Sequence, residues 1–307
     1  MTQMPELKMP FLKMPFLKMH GLGNDFIVLD ARANGPMGDF TLDETVARLL
    51  ADRQMGIGCD QIMILRDAKE GGDVYLDMRN QDGSHTGACG NGTRCVASLI
   101  MAETDKNDVI IETISGHLTA RLIDDLIEVD MGPAMLGWQD VPLSHEMDTL
   151  DVDLSPLEDI TAVCLSMGNP HAVLFVEDAD KVDVARRGAA LERFAIFPQA
   201  ANISFAHVIS DNKIRMRVFE RGVGITRACG SGACAVAVAA CRRGLTQRHV
   251  EVVLDGGSLF IEWQEDTGPN KGHVLMRGPA SLSYEGVLSG DLAEAFAKAQ
   301  SERSSGA

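Results

Sequence analysis

Apolar residues recur along the chain with two spacings, and together these spacings predict a mixture of strands and helices. Short apolar runs bounded by turn residues are typical of strands. They lie at Phe26 to Leu29, Val74 to Arg79, Thr161 to Ser166 and Ile214 to Phe219, and further runs follow Asn202 and precede Gly132. The chain therefore contains more strand than helix.

Four stretches have helical spacing. Thr41 to Asp52 begins like a capping box and is predicted to be a helix, as is Val182 to Ala195. Two further predicted helices, Thr93 to Ala102 and Ala233 to Cys241, are apolar and rich in Ala and Val.

The distribution of these elements divides the chain into two halves with a similar order of strands, polar turn and helix. Residues 133–155 are rich in Pro, Gly and acidic residues and have no clear period, which places a boundary between Gly132 and Pro142. We expect one half at 18–132 and the other at 133–274. Residues 1–17 hold a five-residue repeat whose prolines prevent a helix, and we expect a poorly ordered extension there.

One motif occurs in both halves. Ala88-Cys89-Gly90-Asn91-Gly92 returns as Ala228-Cys229-Gly230-Ser231-Gly232, each time just before one of the two apolar helices. The match extends upstream, since Asn80 and Glu220 both lie nine residues before the Cys. The sequence therefore predicts a duplicated site whose two copies face each other.

A thiol at a helix N-terminus has a chemical use. Unpaired backbone N–H groups and the helix dipole favour loss of its proton and binding of an anion. Glycines after the Cys let backbone amides approach a ligand closely. Two such ends would form a carboxylate pocket between two thiols. The alternative is that both Cys are small buried hydrophobes in ordinary strand-to-helix turns.

Composition and net charge limit the class of protein and the kinds of partner that the chain can have. The chain has 307 residues, 45% of them hydrophobic and 23% charged, typical of a globular protein. A net charge of −16 argues against a nucleic-acid or membrane-surface partner. Seven Cys without a disulfide-framework spacing, and no apolar run of about 20 residues, favour a cytoplasmic protein with free thiols.

These motifs resemble those of the diaminopimelate epimerases, which are amino-acid epimerases that use no cofactor. The matching strings are KMHGLGNDFIVLD, GIGCDQ, RNQDGSHTGACGNGTRC, SMGNPHAV, VFERGVGITRACGSGACA and DGGSLFIEW. The resemblance implies an α+β fold of two similar domains, each a mostly antiparallel sheet around a central helix, with the site in the cleft between them. It also implies a strand at about 275–290 that returns to the first domain, a tail at 291–307 outside the pattern, and a homodimer.

The resemblance assigns roles to residues of both halves. Cys89 and Cys229 would exchange protons with the two faces of the substrate carbon, with His171 and Glu220 beside it. Arg221 suits a distal carboxylate because its planar guanidinium matches that group. The other substrate-binding positions are implied to be Asn24, Gln61, Asn80, Gly90, Asn91, Asn169, Asn202, Glu220, Gly230 and Ser231. No cofactor and no metal are implied. The substrate would be LL-2,6-diaminopimelate and the product its meso isomer.

Other interpretations remain open at this point. His171 could be a turn histidine, and Glu220 and Arg221 a solvated ion pair. A metal site built on Cys89, Cys95, Cys229 and Cys234 would lack the spacing of common zinc modules, and a redox protein would lack C-x-x-C. Proline racemase-like enzymes, phenazine-biosynthesis-like isomerases and a non-catalytic amino-acid binder are further alternatives.

Overall fold

The computed structural model describes residues 14–38, 40–87, 89–265, 267 and 270–304. The helices are α1 (Glu44–Ala51), α2 (Gly90–Thr104), α3 (Val184–Glu192), α4 (Gly230–Arg242) and α5 (Gly290–Ser304). The strands of the first half are β1 (Met14–Gly21), β2 (Asn24–Asp30), β3 (Gln61–Arg66), β4 (Val74–Asn80), β5 (Asp108–Thr113), β6 (Gly116–Ile123) and β7 (Leu126–Pro133). The remaining strands are β8 (Ala162–Ser166), β9 (Pro170–Phe175), β10 (Asn202–Ser210), β11 (Lys213–Glu220), β12 (Gly224–Ile225), β13 (His249–Leu254), β14 (Gly257–Trp263), β15 (His273–Gly278) and β16 (Ser281–Leu288).

The two halves repeat one topology. In the first, β2 and β3 are parallel, as are β4 and β5, and the other neighbouring pairs are antiparallel. In the second, β9 and β10 are parallel, as are β11 and β13, again among antiparallel neighbours. Helix α2 connects β4 to β5, and α4 connects β12 to β13. The predicted α+β fold of two similar halves is confirmed.

Each sheet surrounds a helix because of its small and apolar side chains. Along α4 every residue from Gly232 to Ala240 is buried, and Ile214, Met216 and Val218 alternate toward it from β11. Helix α2 is likewise buried from Gly90 to Ala97. Ala and Val side chains let strands approach the helix from several directions, so each sheet closes around its helix.

The halves join through the end of the chain. Strand β15 pairs with β14 of the second half on one side and with β7 of the first half on the other. Strand β16 then pairs with β1. The strand expected at about 275–290 is thus two strands, and both contact the first half.

The structure differs from the expectation in the N-terminal extension at 1–17 and in the C-terminal tail at 291–307. Met14 to Leu17 already belong to the first half, ahead of the expected start at Lys18, because they pair with β16; Pro15, which has no N–H, is tolerated there beside a single partner strand. Residues 1–13 of the expected extension lie outside the described residues. The expected tail contains α5, whose Phe296 ring packs on Phe40 with centroids 4.9 Å apart.

Helix α1 also starts later than the sequence indicates. Its N-cap is Asp43, whose carboxylate accepts the Val46 N–H at 2.8 Å, and Thr41 precedes the cap. An Asp at this position satisfies an otherwise unpaired amide and has a favourable interaction with the helix dipole. Within the described ranges, no helix is long and apolar enough to cross a membrane.

Candidate active site

Each of the two matching turns places a Cys at the N-cap of a central helix. Cys89 caps α2, and its sulfur accepts the Gly92 N–H at 3.4 Å. Cys229 caps α4, and its sulfur lies 3.7 Å from the Ser231 hydroxyl. A Cβ on Gly232 would lie 3.1 Å from the Cys229 sulfur, so the glycine keeps the space beside this thiol open.

The two helix N-termini meet at the junction of the halves. Asn91 donates from Nδ2 to the carbonyl oxygen of Ala228 at 3.3 Å, which links the start of α2 to the turn before α4. Met276 of β15 lies between the two ends: a Cβ on Gly90 would lie 2.5 Å from its Cε, and one on Gly230 3.0 Å from its sulfur. The predicted convergence of the two turns is therefore observed.

Polar residues of the first half surround Cys89. Its sulfur lies 3.9 Å from Oδ1 of Asn24, which also accepts from Asn91 at 3.1 Å. At the adjacent strand ends, Gln61 donates to Oδ1 of Asn80 at 3.2 Å. These contacts bring four of the predicted binding residues to one side of the junction.

A charged network that sequence reasoning missed holds Asn24 in place. Asp60 accepts from Nδ2 of Asn24 at 2.7 Å and pairs with Arg53 at 2.7 Å. Asp25 is bound by Arg53 and Lys18, and although burial opposes its ionisation, these hydrogen bonds lower its pKa to about 2. The one sequence signal was the position of Asp60 beside Gln61, both polar, just before a strand.

On the second side, a chain of side chains leads to Cys229. His171 contacts Oδ1 of Asn169 through Nε2 at 2.8 Å, and Asn169 donates to the Ser231 hydroxyl at 3.3 Å. His171 is fully buried, and burial together with the charge of Arg221 lowers its pKa to about 3. Its Nδ1 has no partner among the described residues. His171 is therefore a buried neutral group and not an exposed turn histidine.

Glu220 and Arg221 do not form the ion pair that their adjacency suggested. The Glu220 carboxylate accepts from Thr226 and interacts with the Cys229 thiol, and burial raises its pKa. The Arg221 guanidinium donates to the carbonyl of Gln199 at 3.3 Å, and its backbone N–H donates to Asn202 at 3.0 Å. Asn202 itself donates to the carbonyl of Pro170 at 2.9 Å.

The strand registers relate the two sides of the site residue by residue. Gln61 pairs with Phe26 and Asn80 in the first half, while Asn202 pairs with His171 in the second. The equivalent positions follow the same order in both halves. In the first half they are Asn24, Phe26, Gln61, Asn80, Cys89 and Asn91. In the second half they are Asn169, His171, Asn202, Glu220, Cys229 and Ser231. The second half thus carries an imidazole and a carboxyl where the first has a phenyl ring and an amide.

The pKa values of the two thiols differ from the expectation based on the helix ends. Burial raises the pKa of Cys89 to about 12 and that of Cys229 well above its usual range, and the charge of Glu220 adds to both effects. The amides of Gly92 and Gly232 act in the opposite direction but more weakly. The expectation that the helix ends make these thiols more acidic is therefore wrong for the site as described, because desolvation outweighs the helix end.

The other cysteines lie away from the ligand-facing turns. Cys95 and Cys234 are fully buried on the helix bodies, as are Cys59 and Cys164 elsewhere. All seven cysteines are free thiols. Among the described residues there is no group of three or more His, Cys, Asp or Glu side chains that could hold a metal ion.

Comparison with known proteins assigns this arrangement to a family. The diaminopimelate epimerase family model matches residues 16–137 and 163–283. A diaminopimelate epimerase of Rhodospirillum centenum is 52% identical over 274 residues, covering 88% of this chain and 90% of the relative. A diaminopimelate epimerase of Phenylobacterium zucineum is 48% identical over 274 residues, covering 88% of this chain and 95% of the relative. The chain belongs to the diaminopimelate epimerase family.

Solved structures extend the fold beyond the epimerases of diaminopimelate. A phenazine biosynthesis protein of the PhzF family from Bacillus anthracis superposes with a TM-score of 0.65 at 15% identity, covering 90% of this chain and 99% of that one. A hydroxyproline epimerase from Agrobacterium vitis superposes with a TM-score of 0.63 at 16% identity, covering 91% of each chain. The predicted fold and family are confirmed, and the individual roles of the site residues stay predictions.

Proposed function

We propose that this protein epimerises LL-2,6-diaminopimelate to meso-2,6-diaminopimelate by exchanging protons between two cysteines and opposite faces of one α-carbon. The observation that carries the proposal is the meeting of two Cys-capped helix ends across Met276. Inversion of a carbon requires a base on one face and an acid on the other. Membership of the diaminopimelate epimerase family supplies the substrate.

The reaction balances with the two sulfurs alone. A thiolate takes the α-proton and becomes a thiol, while the opposite thiol gives its proton to the other face of the carbon and becomes a thiolate. The enzyme therefore ends with one thiol and one thiolate, their positions exchanged. No cofactor and no metal take part in this scheme.

The helix ends stabilise the charge that develops during this exchange. The reacting carboxylate takes up negative charge when the α-proton leaves, and backbone amides at helix N-termini bind such charge without having to reorganise. The amides concerned are those of Gly90, Asn91, Gly230 and Ser231. Exclusion of water at the junction of the halves strengthens these interactions.

His171 is suited to hold the substrate ammonium group. Nε2 of this neutral imidazole donates to the Asn169 amide oxygen, which leaves the lone pair of Nδ1 free to accept a hydrogen bond. Glu220 supplies a second acceptor beside Cys229. We assign the distal carboxylate to Arg221, with Asn24, Gln61, Asn80 and Asn202 as further contacts.

The deciding experiment follows solvent deuterium into diaminopimelate. Wild type, Cys89→Ala and Cys229→Ala are incubated with the LL isomer in deuterated water, with reductant and without added cofactor. We expect deuterated meso product from wild type and no epimerisation by either variant. Cys241→Ala, which alters the opposite end of α4, is the matched control and is expected to stay active.

Two other results would change the proposal. A wild type that is inert on diaminopimelate but exchanges the α-proton of another amino acid would keep the two-thiol chemistry and remove the substrate. Absence of exchange in every amino acid tested would favour binding or redox chemistry instead. The proposal also includes a homodimer, which light scattering of the purified protein tests, and a cytoplasmic location, which cell fractionation tests.

A further inference from the structure

The side-chain amide of Asn24 is hydrogen-bonded at both ends, which fixes the direction in which it points. Its Nδ2 donates to Oδ2 of Asp60 at 2.7 Å, and its Oδ1 accepts from Nδ2 of Asn91 at 3.1 Å. A carboxylate can only accept hydrogen bonds, so the end of Asn24 that faces Asp60 must be the NH2 group. The oxygen of Asn24 is therefore turned toward Asn91 and Cys89.

Asp60 is itself held by groups that can only donate. Its Oδ1 accepts from Arg53 at 2.7 Å, and its Oδ2 also accepts the backbone N–H of Asp25 at 3.1 Å. The direction continues beyond Asn24, because the NH2 group that Asn91 presents to it also donates to the carbonyl oxygen of Ala228 at 3.3 Å. One carboxylate of the first half thus determines the direction of two amides, the second of which reaches the other half.

Cys89 lies beside the end of Asn24 that this direction makes an acceptor. Its sulfur is 3.9 Å from Oδ1 of Asn24. An amide oxygen carries lone pairs and no proton, so it accepts a hydrogen bond from a thiol but offers none to a thiolate. The contact therefore favours the protonated form of Cys89. Burial acts in the same sense and raises the pKa of this thiol to about 12.

The equivalent amide of the second half points in the opposite direction. Asn169 turns its Oδ1 toward Nε2 of His171 at 2.8 Å and donates from Nδ2 to the hydroxyl of Ser231 at 3.3 Å. That hydroxyl lies 3.7 Å from the sulfur of Cys229 and, with its lone pair occupied by Asn169, has its proton free to donate. The first half thus turns an acceptor toward its cysteine, and the second half a donor.

This difference follows from one position in the sequence. Asp60 comes directly before Gln61, and the residue directly before the equivalent Asn202 is Ala201. Ala201 is fully buried and has no polar atom in its side chain. The amide of the second half is bonded only to an imidazole and a hydroxyl, each of which can donate or accept. Only the first half has a carboxylate that fixes the direction of its amide.

We propose that Asp60 is a positioning residue that turns the oxygen of Asn24 toward Cys89 and so keeps Cys89 a thiol in the substrate-free enzyme. The inference rests on the proposed two-thiol function and adds the state in which one sulfur begins, since a thiol enters the reaction as the acid. Its S–H bond breaks, the proton goes to the α-carbon and the electron pair stays on sulfur. The α-proton goes to Cys229, which takes it as a thiolate.

Other charged and titratable groups also face Cys89. They are Arg94 and the buried thiol of Cys95 on α2, and Glu220 at the end of β11. Glu220 raises the pKa of Cys89 and Arg94 lowers it, both more weakly than burial. Nη1 of Arg94 lies 3.5 Å from the sulfur of Met276, on the interior side of the site. Within the described part of the chain, none of these groups is hydrogen-bonded to Asn24, so none of them sets its direction.

The first test is the infrared spectrum of the substrate-free protein, in which a thiol has an S–H stretching band and a thiolate has none. The difference between each protein and its Cys89→Ala counterpart isolates the Cys89 band from those of the other cysteines. We expect a Cys89 band in wild type, at a lower frequency than that of a thiol without an acceptor. Asp60→Ala should move the band to higher frequency, and Asn24→Ala should move it in the same direction.

Arg53→Gln is the matched control for this test. It breaks an ion pair of the same network but leaves the Asp60 carboxylate facing Asn24, so the band should stay in place. The side chain of Asp60 is 39% exposed, so its removal should leave the fold intact. Equal shifts in Arg53→Gln and Asp60→Ala would mean a general loosening of the loop and would overturn the proposal. An unchanged band in Asp60→Ala, or no Cys89 band in wild type, would overturn it as well.

The second test measures the pH at which each thiol ionises. Iodoacetamide alkylation, followed by peptide mass spectrometry across the neutral and alkaline range, gives a pH midpoint for Cys89 and for Cys229. Asn24→Ala changes no charge, and loss of the acceptor should lower the Cys89 midpoint by about one pH unit, a roughly tenfold gain of thiolate, with Cys229 unchanged. A Cys89 midpoint that stays or rises would contradict the role of the amide oxygen.

Both measurements are made without substrate, which separates this inference from the proposed function. A protein that is inert on diaminopimelate but shows the expected band shifts would lose its substrate assignment and keep the role of Asp60. An active protein whose Cys89 band does not respond to Asp60→Ala would keep the function and lose that role.

Discussion

The carbonyl oxygen of Leu22 lies where a side chain on Gly256 would begin: a Cβ built on that glycine would be 1.8 Å from it. Leu22 belongs to the β1–β2 loop of the first half, yet its side chain is buried in the apolar core of the second. Asn24, which lies beside Cys89, follows two residues later. The position of Asn24, a predicted substrate-binding residue of one half, is therefore fixed by the core of the other.

Gly256→Ala tests this connection. We expect the added methyl to displace the Leu22 loop, to lower stability by about 1–3 kcal/mol and to raise KM as Asn24 moves. Thermal unfolding and steady-state kinetics measure the two effects. Gly137→Ala is the control, because its methyl would meet only the flexible side-chain ends of Asp140 and Gln139. An unchanged KM in a destabilised Gly256→Ala would show that Asn24 does not depend on this contact.

His171 gives the protein a pH-dependent stability. Its folded pKa, lowered by burial and by Arg221 to about 3, lies below the unfolded value, so the stability is present above about pH 6.5 and is lost as pH falls toward 3. The expected loss from this residue is about 1.4 kcal/mol per pH unit in that window. Urea unfolding of wild type and His171→Gln at several pH values measures the difference. His145→Gln alters an exposed histidine and should follow wild type.

Asp60 is predicted to act through Asn24. Asp60→Ala removes the acceptor that orients the Asn24 amide, and we expect roughly tenfold lower kcat/KM, as for loss of one hydrogen bond to a charged group. In a double-mutant cycle, Asn24→Ala combined with Asp60→Ala should be little worse than Asn24→Ala alone. Fully additive losses would mean that Asp60 contributes by another route, such as its pair with Arg53.

The C-terminal helix is predicted to stabilise the fold without contributing to the chemistry. Phe296→Ala removes a buried ring that packs on Phe40, and we expect a loss of about 3–5 kcal/mol in the free energy of unfolding. The alkylation midpoints of Cys89 and Cys229 should be unchanged in the folded variant. A shift in either midpoint would show that α5 reaches the site through the sheet.

The sequence predicted what is encoded locally. Cys89 and Cys229 could be paired because each stands in a short motif with its own turn and helix, and the apolar periods located α2 and α4. The equivalence of Asn80 and Glu220 could be predicted in the same way. Strand β16, by contrast, pairs with β1 across more than 250 residues of sequence, so the inclusion of Met14 to Leu17 in the first half depends on residues that no local pattern relates to them.

The electrostatics of the site depend on the same distant contacts. Met276 and Arg94 form the interior side of the site only once β15 lies between the halves, and the network of Asp60 and Arg53 depends on the packing of a loop against β2. The raised thiol pKa values come from burial, which is a property of the assembled fold. Local rules for a Cys at a helix end therefore predicted the geometry correctly and the acidity incorrectly.

The pairing of β15 and β16 has a consequence for biosynthesis. Strands β7 and β1 are the two edges of the first half, and their partners β15 and β16 are translated only after the strands of the second half. While the ribosome makes residues 134–272, the emerging first half exposes two unpaired strand edges, which are prone to association with other chains. Translation of β15 and β16 supplies the partners of both edges within 16 residues, so the first half depends for its final folding on strands that follow the second half.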